Sequence, residues 1–298
     1  MIEKTAQFCK NMTDWFKSER CFVKYFIDAF RMTNGNILLL TILLLFVFLM
    51  SIYILIVQSG IITLITLILI MSILASGLFY SMKESIKICY AKDENNGISN
   101  LTVKNRVTLG MFCTGVGKYY LSFLGMLILF FIMSGLVIYL TFIAASHFIC
   151  DISKLGIDIR LFFLTLADPN SAGTILSGLD KTEQMYFRDW NRLFLITTQL
   201  YTFLLIFWIP ETLFVKKNIF ISLFNSVIKV IKNLPNALCI YLTILLINYI
   251  IAGLTILSNN NALLIFILSI LSFYLVIYDF YAIFLYYKSR YIDIYDRG

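Results

Sequence analysis

The chain has 298 residues and a formal charge of +7, with 60% hydrophobic and only 14% charged residues. Soluble domains are about 25% charged, so the composition excludes a soluble enzyme, a disordered chain and a disulfide-linked secreted scaffold. An all-α integral membrane protein remains. With a single histidine and no CxxC pair, the sequence predicts neither a metal site nor a cofactor.

Six apolar runs are each long enough to cross a bilayer as a helix, because a hydrocarbon core about 30 Å thick needs about 20 helical residues. The predicted spans are residues 37–57, 61–80, 121–144, 193–215, 238–257 and 263–287. They form one transmembrane domain over residues 37–290, between an N-terminal segment, 1–36, and a tail, 291–298. Since the first run begins only at residue 37, we expect no cleavable signal peptide.

The distribution of Lys and Arg predicts the orientation of these spans. The basic segments are residues 1–36, 81–120 and 216–237 and the C-terminal tail, and the turns without Lys or Arg are 58–60 and 258–262. The positive-inside rule then places both termini and the basic connections in the cytoplasm and residues 145–192 outside. We expect the partner of this charge to be anionic lipid headgroups at the cytoplasmic face and not nucleic acid.

Three segments, residues 8–31, 101–118 and 219–233, are predicted to be amphipathic helices that lie in the cytoplasmic headgroup region. Each places apolar side chains on one helical face and polar or charged ones on the other. The alternative is that these helices pack against neighbouring helices of the protein. The sequence leaves both arrangements open.

The long outer segment, residues 145–192, is predicted to form a small helical cap. A short helix can begin at Asp168–Pro169, since proline suits the first helical turn. Asp180 and Glu183 have the spacing of a capping box, in which each side chain bonds the backbone of the other residue. We expect the helix that begins there to continue into the fourth span.

Only two ionisable residues lie in the six predicted spans, Glu211 and Asp279. Acids in a membrane are costly and by default suggest a functional site. Both lie toward the cytoplasmic ends of their spans, where Lys216 or Lys288 can reach them. They are therefore either interfacial acids with a cationic neighbour or a coupling pair that contacts a substrate. Pro210 is expected to kink or fray the fourth span beside Glu211.

Neutral polar residues extend this candidate pathway over the fourth, fifth and sixth spans. Tyr241 and Asn248 share one face of the fifth span, and Thr198 and Gln199 lie in the outer half of the fourth. Because such residues commonly hydrogen-bond between helices, a purely structural use stays open beside a polar path. Four small residues are expected to let helices approach closely: Ser134, Gly135, Ala252 and Gly253.

Residues 200–292 contain several short motifs in a characteristic order. They are Phe207-Trp208-Ile209-Pro210-Glu211, Ser222-Leu223-Phe224-Asn225-Ser226-Val227-Ile228-Lys229, Tyr278-Asp279-Phe280-Tyr281 and Tyr286-Tyr287-Lys288-Ser289-Arg290. This pattern resembles the membrane domain attached to some bacterial glycerophosphodiester phosphodiesterases, and related six-span Firmicute membrane proteins. The resemblance implies a bacterial cytoplasmic membrane. It does not imply phosphodiesterase activity, because these residues do not include the catalytic barrel.

No HExxH, GxSxG or glycine-rich phosphate loop is present, so the sequence favours a protein that is not an enzyme. We expect a non-catalytic transport component, either a small permease or the membrane subunit of a larger transporter. In the second case a separate ATPase would dock on cytoplasmic helices near residues 82–92 or 219–233. The alternatives are an accessory, immunity or scaffold protein that binds another membrane protein or lipid, and a lipid-active membrane enzyme.

Overall fold

The computed structural model describes residues 23–57, 60–96, 107–150, 178, 180–215, 218–258 and 261–292. Within these ranges nearly every residue is helical and none is in a β-strand, which confirms the all-α class. The helices are α1 (residues 23–35), α2 (Ile37–Ile56), α3 (Gly60–Asn96), α4 (Leu109–Phe148), α5 (Lys181–Leu204), α6 (Trp208–Val215), α7 (Ile219–Lys232), α8 (Leu234–Leu257) and α9 (Ala262–Tyr291).

Six helical segments of the described chain are long and apolar enough to cross a membrane. They are Ile37–Ile56, Ile62–Cys89, Leu109–Phe148, Lys181–Val215, Leu234–Leu257 and Ala262–Tyr291. Each overlaps one predicted span, so the prediction of six candidate spans is confirmed. These segments indicate a multi-pass membrane protein.

Two helices extend well beyond the apolar runs that predicted them. The second predicted span ends at residue 80, whereas α3 continues to Asn96, and the third begins at residue 121, whereas α4 begins at Leu109. Lys, Glu and other unbranched residues propagate a helix as well as apolar ones do, so a helix need not end where its apolar run ends. Residues 109–118 of one predicted amphipathic segment therefore belong to α4, and residues 101–106 lie outside the described residues.

The predicted entry into the fourth span is confirmed. The backbone N–H of Glu183 donates to Oδ1 of Asp180 over 2.7 Å, and the backbone N–H of Asp180 donates to Oε2 of Glu183 over 2.9 Å. This capping box begins α5, which runs without a break to Leu204. The short helix expected at Asp168–Pro169 lies outside the described residues.

The fourth candidate span is interrupted by a turn at residues 205–207 between α5 and α6. Pro210 lies in the first turn of α6, where it has no N–H to donate to a carbonyl one turn earlier. An unbroken helix through this region would leave the carbonyl group of Ile206 without its normal partner. The disruption expected at Pro210 is thus observed in the turn just before it.

The chain divides into two units, one of Met1–Met126 with Ile206–Gly298 and the other of Leu127–Leu205. In the first, Phe79 of α3 is central to an aromatic cluster, with ring centroids 4.4 Å from Phe280 and 5.7 Å from Phe123. The core of the second is formed by Ala145, Phe187, Trp190 and Phe194.

Helix α1 packs along α9 through aromatic side chains, which fits the alternative in which the N-terminal segment contacts the protein. The ring pairs are Tyr25–Tyr286, Phe26–Tyr278 and Phe30–Tyr274, with centroids 5.7 to 6.4 Å apart. Asp28, expected on the polar face, is only 6% exposed, with Arg31 3.5 Å away. The side chains of Val23 and Ile27 on α1 are exposed. Residues 8–22 of the predicted segment lie outside the described residues.

Close approach between helices occurs at a glycine that the sequence did not single out. A Cβ atom added to Gly115 of α4 would lie 2.7 Å from Cβ of Tyr80 and 2.8 Å from the carbonyl oxygen of Ser76, both in α3. At Gly135 and Gly253 a Cβ atom would meet nothing within 4 Å in the described chain. These two glycines therefore make no close helix contact there.

The other two residues expected to mediate close helix packing give a mixed result. Ser134 donates a long hydrogen bond of 3.4 Å to the hydroxyl group of Tyr201, within the second unit. Ala252 is exposed on α8. Small residues are tolerated on any helix face, so their presence alone does not identify the face that meets another helix.

Candidate functional site

Glu211 lies at the centre of a buried polar network formed by α6, α7 and α9. Its Oε2 atom accepts a hydrogen bond of 2.5 Å from Nζ of Lys229 and another from the hydroxyl group of Tyr287. Its Oε1 atom accepts a 3.1 Å hydrogen bond from Nδ2 of Asn225. The Glu211 side chain is 1% exposed. Both carboxylate oxygens are therefore bonded, as a buried charge requires.

Aromatic rings enclose the cation of this network. Nζ of Lys229 lies 4.7 Å from the ring centroid of Tyr287 and 4.9 Å from that of Tyr291, within the range of cation–π attraction. The hydroxyl group of Tyr291 donates to the backbone carbonyl of Lys229 over 3.3 Å. It also accepts a 2.8 Å bond from the side chain of Asn233. The C-terminal turns of α9 are thereby tied to the end of α7.

The helical period places the two α7 donors on the same side of the helix. Asn225 and Lys229 are four residues apart, so both side chains can reach one acceptor. Asn218 caps the start of helix α7, and its side-chain oxygen accepts a 3.0 Å bond from the backbone N–H of Phe220. Because α7 starts soon after α6 ends, the short connection keeps these donors close to Glu211.

A cleft of about 740 Å³ lies beside this network. Its walls include Glu211, Asn225, Lys229, Lys232, Asn233 and Tyr291. Residues with carboxylate, ammonium, amide and phenol groups thus line one cavity. A cleft of this size can hold a small molecule, although the cation and the acid that border it already bind each other.

A second buried acid joins two neighbouring candidate spans. Asp279 of α9 accepts a 2.8 Å hydrogen bond at Oδ2 from Nδ2 of Asn248 in α8. The same amide group donates to the carbonyl oxygen of Ile244 over 2.9 Å. Asp279 is 8% exposed, and its Oδ1 atom is buried with no hydrogen-bond partner among the described residues. One oxygen of this acid therefore joins the two helices, and the other is buried without a partner among the described residues.

The predicted site residues lie on four helices and are divided between the two units. Of that set, Asn248 and Asp279 are hydrogen-bonded to each other. Tyr241 lies half-buried on α8. Thr198, which is exposed, and Gln199 lie on α5 and belong to the second unit. The structure thus supports a hydrogen bond between the fifth and sixth candidate spans.

The partners of Glu211 were missed from the sequence. Lys216 and Lys288 were the cations expected near the two acids, whereas the cation bonded to Glu211 is Lys229; Lys216 lies outside the described residues. One feature of the sequence could have identified this partner. Lys229 lies on the polar face of the predicted amphipathic helix at residues 219–233, which directly follows the span that contains Glu211. A polar face needs a partner, and a nearby acid provides one.

In the part of the chain that the structure describes, no group of three or more His, Cys, Asp or Glu side chains is arranged to hold a metal ion. The two acids are instead bonded to an ammonium group, amide groups and a phenol. These hydrogen bonds and the ion pair stabilise the buried acids and connect the helices that carry them.

The fold defines the chain as an α-helical multi-pass membrane protein with buried acids in its fourth and sixth candidate spans. No family model matches it, and no curated protein or solved structure matches it either. The resemblance of residues 200–292 to the membrane domain of bacterial glycerophosphodiester phosphodiesterases therefore stays a prediction.

Proposed function

We propose that the chain is a non-catalytic membrane transport component, either a small permease or the membrane subunit of a larger transporter. The observation that carries this proposal is the buried carboxylate of Asp279, which bonds Asn248 through one oxygen and leaves the other without a partner among the described residues. Ionisable groups of this kind inside a membrane typically mark substrate or ion pathways. In this proposal Oδ1 of Asp279 contacts the transported solute or a coupling ion.

A purely structural role would not need an acid at this position. Asparagine has nearly the same shape and can make the same interhelical hydrogen bond, which is worth about 0.6 kcal/mol in a membrane. An aspartate at the centre of a helix costs about 2.5–3.5 kcal/mol to insert. Asp279 lies nine residues before Lys288, or about 14 Å along the helix axis, so it lies within the apolar run although nearer to its C-terminal end. Because the cost of inserting the acid exceeds the gain from its hydrogen bond, a role beyond helix packing is favoured for Asp279.

Glu211 has a different role in this proposal. Its carboxylate is fully bonded, so it holds α7 against α6 and α9 and does not take a ligand itself. Interrupted spans occur in many transporters, where the ends of the half-helices line the substrate or ion site. The break between α5 and α6 is consistent with a transport component of this kind.

We also propose how the chain is threaded through a bacterial cytoplasmic membrane. Both termini and α7 lie on the cytoplasmic side, and residues 145–192 form an outer cap, as the distribution of Lys and Arg favours. The outer surface of α7 supports an interfacial position, because Phe224 is 67% exposed and Ile221 and Ile231 are also exposed. An apolar outer face with the polar face turned toward the protein suits a helix that lies in the headgroup region.

Transport can be tested in proteoliposomes made with the full chain and whatever subunit co-purifies with it from its own membrane. Charge movement on a solid-supported membrane is recorded for a panel of charged metabolites. We expect a current for at least one solute, and Asp279→Asn should reduce it by about tenfold or more, the size of a typical coupling between sites.

Ser272→Ala is the matched control, because Ser272 lies two helical turns from Asp279 on the same face of α9 and bonds only its own helix backbone in the described chain. Its current should equal that of the unsubstituted protein. Absence of any current in the reconstituted preparation, or an Asp279→Asn variant as active as the control, would contradict the proposal.

An accessory or scaffold function is the second candidate. The observation that favours it is the open space at Gly135 and Gly253, where no atom of the described chain would meet an added Cβ. Glycine on an unoccupied helix face can admit another transmembrane helix closely. For a scaffold, Gly253→Leu should abolish co-purification of a membrane partner, whereas Asp279→Asn should leave it unchanged.

A further inference from the structure

A second cleft, separate from the one beside Glu211, opens between α3, α4 and α6. Its volume is about 580 Å³, and its polar lining comes mainly from Lys83, Glu84, Lys87, Lys118, Tyr80 and Tyr119. None of these residues contacts Asp279 or Glu211 in the hydrogen bonds or ion pairs described above. The cleft is therefore a separate feature from the polar networks of Asp279 and Glu211.

The cleft has an excess of positive charge. Three lysines and one glutamate line it, which leaves a formal excess of two positive charges. Lys87 and Lys118 are exposed, and neither forms an ion pair within the described residues. Lys83 donates a 2.9 Å hydrogen bond to the carbonyl oxygen of Leu213 in α6, which anchors its ammonium group at the wall of the cleft. Such an arrangement attracts an anion.

Tyrosine rings help to position the ammonium groups. Nζ of Lys118 lies 5.6 Å from the ring centroid of Tyr80, and Nζ of Lys83 lies 5.9 Å from that of Tyr119. Both distances are within the range of cation–π attraction. Tyrosine and lysine together at the end of an apolar run are typical of the membrane–water interface, where both keep their polar ends in water.

The position of the cleft along the helices identifies its surroundings. The apolar run of α3 ends just before Lys83, and that of α4 begins just after Lys118. The cleft is therefore next to the boundary of the apolar region on both helices. Leu121, one turn along α4, is 77% exposed and continues the surface toward that region. A bound molecule can thus meet cations at one end and apolar helix surface at the other.

We propose that this cleft binds the phosphate headgroup of an anionic phospholipid, with Lys87 and Lys118 as its principal contacts. Basic clefts between transmembrane helices on the cytoplasmic side are known to suit such headgroups. The volume is in the range of small-ligand sites and fits a headgroup, while the acyl chains follow the exposed helix surface. A soluble phosphate compound would use the same cations but gain nothing from that surface. The site does not depend on the transport proposal.

The test uses the full chain purified in detergent and native mass spectrometry with dioleoylphosphatidylglycerol or dioleoylphosphatidylcholine as the added lipid. The unsubstituted protein should retain one phosphatidylglycerol molecule in preference to phosphatidylcholine. The double substitution Lys87→Gln with Lys118→Gln should weaken phosphatidylglycerol retention by about thirtyfold, from the loss of two cations near a headgroup.

Lys24→Gln with Lys181→Gln is the matched control, because it removes the same charge from two exposed lysines outside the cleft. It should retain phosphatidylglycerol like the unsubstituted protein. Unchanged circular dichroism and a single gel-filtration peak show that each variant is folded.

Equal retention of both lipids by the unsubstituted protein, or an equal loss in the control variant, would overturn the proposal. So would binding of glycerol 3-phosphate as tight as that of the lipid, because the ligand would then be a soluble phosphate.

Discussion

Nζ of Lys229 lies 2.5 Å from Oε2 of Glu211, although the two residues are 18 positions apart and lie on different helices. The pair joins α7, whose outer face is apolar, to α6, which completes the fourth candidate span. Since the Glu211 side chain is 1% exposed and that of Lys229 22% exposed, water has little access to the acid. The pair thus holds α7 to the candidate span that α6 completes.

Removal of the cation should destabilise the protein strongly. Lys229→Met keeps the length of the side chain but leaves the buried Glu211 carboxylate without its positive partner. We expect the free energy of unfolding to fall by about 3–5 kcal/mol, as for other broken buried pairs. Thermal unfolding of the purified chain in detergent, followed by circular dichroism, measures the loss.

Two further variants separate the ion pair from the general effect of losing a lysine. Lys232→Met removes a cation three residues away on the same helix that is exposed, and it should change stability little. Adding Glu211→Gln to Lys229→Met should recover much of the lost stability, because no unpaired charge is then buried. A Lys229→Met protein as stable as the Lys232→Met protein would show that the pair is unimportant.

Gly115 should not tolerate even one additional methyl group. A Cβ atom there would lie 2.7 Å from Cβ of Tyr80 and 2.8 Å from the carbonyl oxygen of Ser76. Gly115→Ala should therefore cost about 1–3 kcal/mol through overpacking between α3 and α4. The melting temperature in detergent is the measurement.

Gly117 provides the matched control, since it is two residues along the same helix and a Cβ atom added there would meet nothing within 4 Å. Gly117→Ala should stabilise the protein by about 0.5–1 kcal/mol, the usual gain for alanine over glycine in a helix. If both alanine variants behaved alike, the close approach of α3 and α4 at Gly115 would be refuted.

The capping box at the start of α5 should slow the hydrogen exchange of the amides in its first turn. Asp180→Ala removes the oxygen that accepts the 2.7 Å bond from the Glu183 N–H, at a cost of about 1 kcal/mol. Hydrogen exchange of the first-turn amides should accelerate accordingly. Thr182→Ala, at an exposed position in the same turn, should leave the exchange rate nearly unchanged. Equal exchange in the two variants would mean that the box does not hold the turn.

The fold was largely predictable because its main determinants are local. Each candidate span coincides with an apolar run, and the spacing of Asp180 and Glu183 identified the start of α5. Pro210 correctly indicated a disruption, since the missing N–H is a property of that residue alone. The true lengths of α3 and α4 were not predictable from the apolar runs, because charged residues also continue a helix.

The contacts of the site were less predictable because they depend on which helix faces meet. The polar face of α7 was evident, but the direction in which it points depends on how α7 packs against α6 and α9. Lys229 was therefore not recognised as the partner of Glu211. For the same reason Gly135 and Gly253 were chosen as packing residues, whereas Gly115 makes the close approach.

The threading of the six spans, with α7 on the cytoplasmic side, is tested most directly by cysteine labelling. In a background in which the six native cysteines are replaced by alanine, Lys181→Cys and Lys232→Cys are each treated in intact cells with a membrane-impermeant maleimide. We expect position 181 to be labelled in intact cells and position 232 only after the membrane is permeabilised. Labelling of position 232 in intact cells would contradict the threading and the interfacial position proposed for α7.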